Sequence, residues 1–95
     1  MKPQNPVVVC KDGFEISIQA SENHYCTPQS DTGPYTEVEC GFPNRKPLSQ
    51  AMLDRFTGFD SDTDYTDSTY SYVPVEVVKL ELALHGGIVK GKMPE

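Results

Sequence analysis

An Asp12-Gly13 pair set between two apolar runs constrains this chain more than any other feature. Asp followed by Gly suits the positive-φ positions of a tight hairpin turn, and both flanks read as strands. Residues 6–10, PVVVC, are rich in β-branched side chains. Residues 14–20, FEISIQA, alternate, with Phe14, Ile16 and Ile18 on one face and Glu15, Ser17 and Gln19 on the other. A lone hairpin is marginal in water, so the rest of the chain must cover the apolar face.

The segments that follow supply that cover. Residues 21–34, SENHYCTPQSDTGP, are a polar loop whose Pro28, Gly33 and Pro34 forbid long regular structure, with an exposed tip near 29–33. Residues 35–40 alternate again, Thr36, Val38 and Cys40 against Tyr35, Glu37 and Glu39, which predicts a third strand antiparallel to the hairpin. Leu48, Met52, Leu53 and Phe56 stand at helical spacing, with Pro47 suited to a first turn and Gly58 to an end. Tyr70-Ser-Tyr-Val73 is long enough for a short fourth strand.

Residues 75–85 carry two periodicities at once. Val78, Leu80, Leu82 and Leu84 alternate as a strand would, yet Leu, Lys, Glu and Ala are good helix formers. Pro74 suits the first turn, Glu76 the N-terminal dipole, and Gly86-Gly87 the end, so helix is favoured. The expected fold is α+β: a small antiparallel sheet of three to four strands packed with one or two helices. It forms a single domain over residues 1–95, with a mobile acidic loop near 57–69 and a frayed tail over 88–95.

A chain of 95 residues has room for one core. No stretch approaches the ~18 consecutive apolar residues of a membrane helix, and the opening MKPQNPVVVC lacks the features of a signal peptide. Cys10, Cys26 and Cys40 are an odd number, which favours a reducing compartment and free thiols. The net charge of −6 is concentrated in residues 31–72, where eight acids face Arg45, Lys46 and Arg55. That distribution argues against direct binding to nucleic acid or an anionic membrane, and suits a basic protein surface.

Three constellations bear on chemistry. Asp60-Ser-Asp62-Thr-Asp64 starts like a calcium-binding loop, but the sixth position is Tyr65 where a turn glycine is needed, and the twelfth is Ser71 in place of a bidentate Glu. The same residues, with Asp67, read as a row of carboxylates at phosphate-like spacing on an extended chain, or as a solubilising loop. Cys10, His24, Cys26 and Cys40 have the number and softness of a Cys3His zinc set, yet no C-x-x-C knuckle is present. A disulfide between Cys26 and Cys40 and free thiols are both compatible with the sequence.

For nucleophilic catalysis only His24 and His85 are available as bases; His24 is merely local to Cys26, and His85 reads as a helix-end cation. No enzyme activity, metal or cofactor is assigned. Tyr25, Tyr35, Tyr65, Tyr70 and Tyr72 mostly flank loops or strand ends, where tyrosine gives large contact area at low entropic cost.

Ile16-Ser-Ile-Gln-Ala-Ser21 leading to His24-Tyr-Cys-Thr-Pro28, and Tyr70-Ser-Tyr-Val-Pro-Val-Glu-Val-Val78 ending at His85-Gly-Gly87, resemble small accessory proteins of bacteriophages and prophages. That group includes anti-CRISPR and other anti-defence inhibitors. The resemblance covers about a third of the chain and transfers no functional residue. It implies action in the cytoplasm of a bacterial host, by non-catalytic occupation of a nucleic-acid-binding surface on a host defence protein or ribonucleoprotein complex. The candidate docking residues are Asp60, Asp62, Asp64 and Asp67 with Glu37, Glu39, Tyr65 and Tyr35. The alternative is a metal-stabilised small structural or virion-assembly protein.

Overall fold

The computed structural model describes residues 4–55 and 65–95. Asp60, Asp62 and Asp64, and most of the acidic loop expected near 57–69, therefore lie outside the described residues. The fold is α+β, as the sequence predicts. Strands β1 (Val8–Cys10), β2 (Glu15–Gln19) and β3 (Glu37–Gly41) are followed by helix α1 (Gln50–Leu53), strand β4 (Thr69–Pro74), helix α2 (Val75–Leu84) and strand β5 (Ile88–Lys90). All pairings are antiparallel, in the spatial order β4-β3-β2-β1-β5.

The sheet thus has five strands where three to four were expected, and the extra one comes from the tail expected to fray. Gly86 and Gly87, at φ 91° and 89°, reverse the chain after α2. This return places Ile88 opposite Cys10 and Lys90 opposite Val9, while the Lys11 amide donates to the Gly87 carbonyl at 3.0 Å. A side chain at Gly86 would meet the Lys11 Cβ at 2.9 Å, so glycine is required there for space as well as for φ. All three β5 residues are exposed, which explains why no burial pattern announced the strand.

Helix wins over residues 75–84 because tertiary packing uses the 3.6 period. Val78 and Leu82, four apart, are buried, whereas Leu80 and Leu84 are half-exposed. Helix α1 is shorter than the expected 48–56. Its start is displaced because the amides of Leu48 and Ser49 donate to the Glu81 carboxylate rather than into a first turn. Ser49 instead caps the helix, its Oγ accepting from the Met52 amide at 3.2 Å.

One sheet face joins Val8, Cys10, Ile16, Ile18, Val38, Cys40 and Val73 to Met52 of α1 and to Val78 and Leu82 of α2 in a single core. The other face is crossed by loop segments. On it, Gln19 is buried under the segment before β1: its Oε1 accepts from the Asn5 amide at 2.7 Å and its Nε2 donates to the Asn5 carbonyl at 2.7 Å.

An irregularity between β3 and β4 shapes that outer face. Val38 pairs with Val73 and Cys40 with Tyr70, so Glu39 alone opposes both Ser71 and Tyr72. This two-for-one bulge puts Tyr72 at φ 50°, a left-handed conformation that costs a non-glycine residue about 1–2 kcal/mol. The bulge turns the Tyr72 amide out of the ladder to donate to the Tyr25 carbonyl at 3.1 Å.

Candidate functional site

Among the described residues, charged and polar groups gather in two places, one inside the molecule and one on its surface. The inner group joins the β1–β2 turn to both helices. Glu81, at 0% exposure, accepts hydrogen bonds from the Leu48 and Ser49 amides at 2.8 and 2.9 Å and from His85 Nε2 at 2.7 Å. His85 Nδ1 lies 2.7 Å from Asp12 Oδ2. Asp12 Oδ1 accepts from the Phe14 amide at 2.9 Å and pairs with Arg45 at 3.0 Å. Phe14 stacks flat on the His85 ring, with centroids 3.8 Å apart and planes 3° from parallel.

Burial opposes ionisation of Glu81, but the donated hydrogen bonds of Leu48, Ser49 and His85 outweigh it and hold its carboxyl below the ordinary 4.5. At Asp12 a desolvation cost is likewise overcome, by the Phe14 amide, His85 and Arg45, and the carboxyl falls below 3.8. Both ring nitrogens of His85 are engaged, Nδ1 with Asp12 and Nε2 with Glu81. Buried and occupied at both nitrogens, the ring presents no open face to a substrate. His85, expected as a helix-end cation, does occupy the C-cap of α2, but it is buried and held from both sides.

Both carboxyls being lowered sets the pH response of the fold. Their contribution is complete above the ordinary values of 4.5 and 3.8 and is lost as pH falls through the depressed ones. Stability measured by chemical denaturation is therefore expected to hold down to about pH 5 and then drop steeply. The drop should be shallower in a Glu81→Gln variant, and a flat profile to pH 3 would show that the network carries no linked stability.

The thiols are enclosed. Cys10, Cys26 and Cys40 are all buried and free. Burial pushes the Cys40 thiol far above its ordinary 9.0. Burial first, then the charges of Asp12 and Glu81, raises Cys10. Cys26 Sγ donates to the carbonyls of Ser21 and Pro28 at 3.2 and 3.3 Å, and His24 Nδ1 is 2.6 Å from Ser21 Oγ. Those contacts organise the 21–34 loop and do not converge on a point. Among the described residues no group of three or more His, Cys, Asp or Glu side chains is arranged to hold a metal ion.

The surface group is built where that loop crosses the outer face of β3. Glu39 Oε1 accepts from the Tyr25 amide at 3.1 Å, and Glu37 Oε1 from Thr27 Oγ1 at 2.7 Å. Thr27 and Glu37 also exchange backbone hydrogen bonds. The loop is thereby pinned so that the rings of Tyr25 and Tyr72 meet at 5.9 Å, tilted by 45°. They remain 53% and 40% exposed.

Of the residues expected to form a docking surface, five lie among the described residues, and they are not all presented outward. Glu37 and Glu39 are half-buried on the outer face, each with one oxygen engaged in holding the loop. Tyr35 is not presented outward: it is 7% exposed, belongs to the core, and donates its hydroxyl to the Ser30 carbonyl at 2.8 Å. Tyr65 is half-buried beneath the Lys46 ammonium, 5.0 Å from the ring centroid. Asp67 is exposed.

Sequence reading missed the Asp12–His85–Glu81 chain. Its signal was the Glu81–His85 spacing of four beside the buried positions Val78 and Leu82, one helical face shared by two polar groups. The Tyr25–Tyr72 pairing had no such signal, because a bulge and a loop crossing create it. Comparison of the chain with protein-family models, with curated proteins and with solved structures finds no match in any of the three.

Proposed function

We propose that this chain is a non-catalytic binding protein that docks on a basic protein surface. In the phage setting that its sequence resembles, that surface belongs to a bacterial immune complex in the host cytoplasm and ordinarily holds nucleic acid. The observation that carries the reading is the excess of acid, a net charge of −6 from 14 Asp and Glu against 8 Lys and Arg. Among the described residues Arg45–Asp12 is the only salt bridge made by a Lys or Arg. Glu15, Glu22, Asp54, Asp67 and Glu76 are exposed and in no ion pair among the described residues.

Such a surface projects a negative field that speeds encounter with a cationic partner and is screened within about 8 Å at physiological salt. The enclosed thiols and the doubly held His85 favour binding over catalysis. Among the described residues no helix is long and apolar enough to cross a membrane.

The test is competition: purified bacterial immune ribonucleoprotein complexes are loaded with target DNA in the presence of this protein. At low salt, DNA binding should be lost, and raising salt to about 0.5 M should weaken the inhibition at least tenfold. Reversal of Asp62 and Asp64 to Lys should abolish inhibition with the circular dichroism spectrum unchanged. Inhibition insensitive to both salt and reversal, or none with any complex, would refute the proposal.

A further inference from the structure

The Tyr25–Tyr72 pair is built, not incidental. Two half-exposed rings lie together on a loop and a strand that are hydrogen-bonded to each other, Tyr72 N–H to the Tyr25 carbonyl at 3.1 Å. Tyr72 reaches this position only through a left-handed backbone at φ 50°. Among the described residues no cation lies over either ring. The nearest guanidinium, that of Arg55, donates through NH1 to the Tyr72 carbonyl at 3.4 Å, so it is held at the backbone.

Beside the pair stands Glu39, whose Oε1 is held by the Tyr25 amide. Its Oε2 has no partner among the described residues, and no buried side-chain oxygen or nitrogen lacks one, so this oxygen reaches solvent. Two half-exposed rings, and a carboxylate that is tied to the Tyr25 amide and stands across from Tyr72 in the sheet, match one side chain in particular. A guanidinium is planar, stacks on aromatic rings, and forks to carboxylates, whereas an ammonium is a compact, strongly hydrated point charge. The chain's net charge of −6 supplies the matching long-range attraction.

We propose that Tyr25, Tyr72 and Glu39 form a receiving site for an arginine side chain of a protein partner. The inference rests on the acidic docking reading and adds what that reading lacks, a discrimination between arginine and lysine. Cation–π contact at a partly desolvated site supports about a fivefold preference.

Fluorescence anisotropy with two labelled decapeptides, oligoarginine and oligolysine, tests it on the intact chain. Oligoarginine should bind about fivefold more tightly than oligolysine at the same salt. Tyr25→Ala, Tyr72→Gly and Glu39→Gln should each bring the two toward parity, and the two tyrosine changes should leave oligolysine affinity unaltered. Tyr72→Gly is chosen because glycine adopts φ 50° freely, and Glu39→Gln because the amide oxygen can still accept from Tyr25. Equal affinity of the two peptides for the unmodified chain, or a preference that survives all three variants, overturns the arginine site and leaves the docking reading standing. Failure of both peptides to bind at low salt overturns both.

Discussion

Glu81→Ala is expected to remove about 3–5 kcal/mol of folding stability, the loss seen when one partner of a buried charged cluster is deleted. The carboxylate is wholly enclosed, and three donors converge on it: the amides of Leu48 and Ser49 and the ring of His85. Alanine leaves all three without an acceptor, and leaves the buried imidazole with Asp12 alone. Two effects compound, since α1 loses its anchor to α2 just as the β1–β2 turn loses its tie to the end of α2. Against a total of about 5–15 kcal/mol for a domain, such a loss leaves a marginal fold. Glu81→Gln keeps one acceptor and should cost about 2 kcal/mol. Urea denaturation of the three proteins at neutral pH decides it, and a loss under about 1 kcal/mol for alanine would mean that water replaces the carboxylate.

Phe14→Ala should be comparably damaging, about 3–5 kcal/mol, by cavity formation. The ring is 0% exposed, belongs to the core and lies flat on His85, so its removal opens a cavity in the core beside the imidazole. Phe14→Leu refills most of the volume and should cost about 1.5 kcal/mol, the remainder reporting the lost stacking. Because Phe14 touches His85 and His85 touches Glu81, the two alanine changes should not add. A double-mutant cycle is expected to give a coupling of about 0.5–3 kcal/mol, and strict additivity would show that stack and hydrogen bonds act independently.

The elements legible in the sequence were those whose signal is local. Asp12-Gly13 and the alternation of residues 14–20 announced β1 and β2, and Gly86-Gly87 marked the end of α2. Leu80 and Leu84 gave a false alternation that only packing could resolve, since a helix exposes them and a strand would have buried them with Val78 and Leu82. Strand β5 was illegible because its three exposed residues are fixed by backbone hydrogen bonds to β1, a partner nearly eighty residues earlier. For the same reason Tyr35 was misread as an outward residue. Tyr35 sits two residues from Glu37 in a pattern of alternation, but it precedes β3 and turns into the core. Tyr25 and Tyr72, separated by the whole of β3 and α1, meet through a loop crossing that no spacing records.

The bulge at Tyr72 also bears on how this molecule behaves among copies of itself. β4 and β5 are the two borders of the sheet, where another strand could attach. One is bent at Tyr72 and closes on Pro74, a residue with no amide hydrogen to offer; the other lasts only three residues before Gly91 at φ 83° turns the chain away. Borders of that kind discourage stacking into fibrils, so crowding should leave the protein as separate particles that recognise others through side chains rather than by lending a strand.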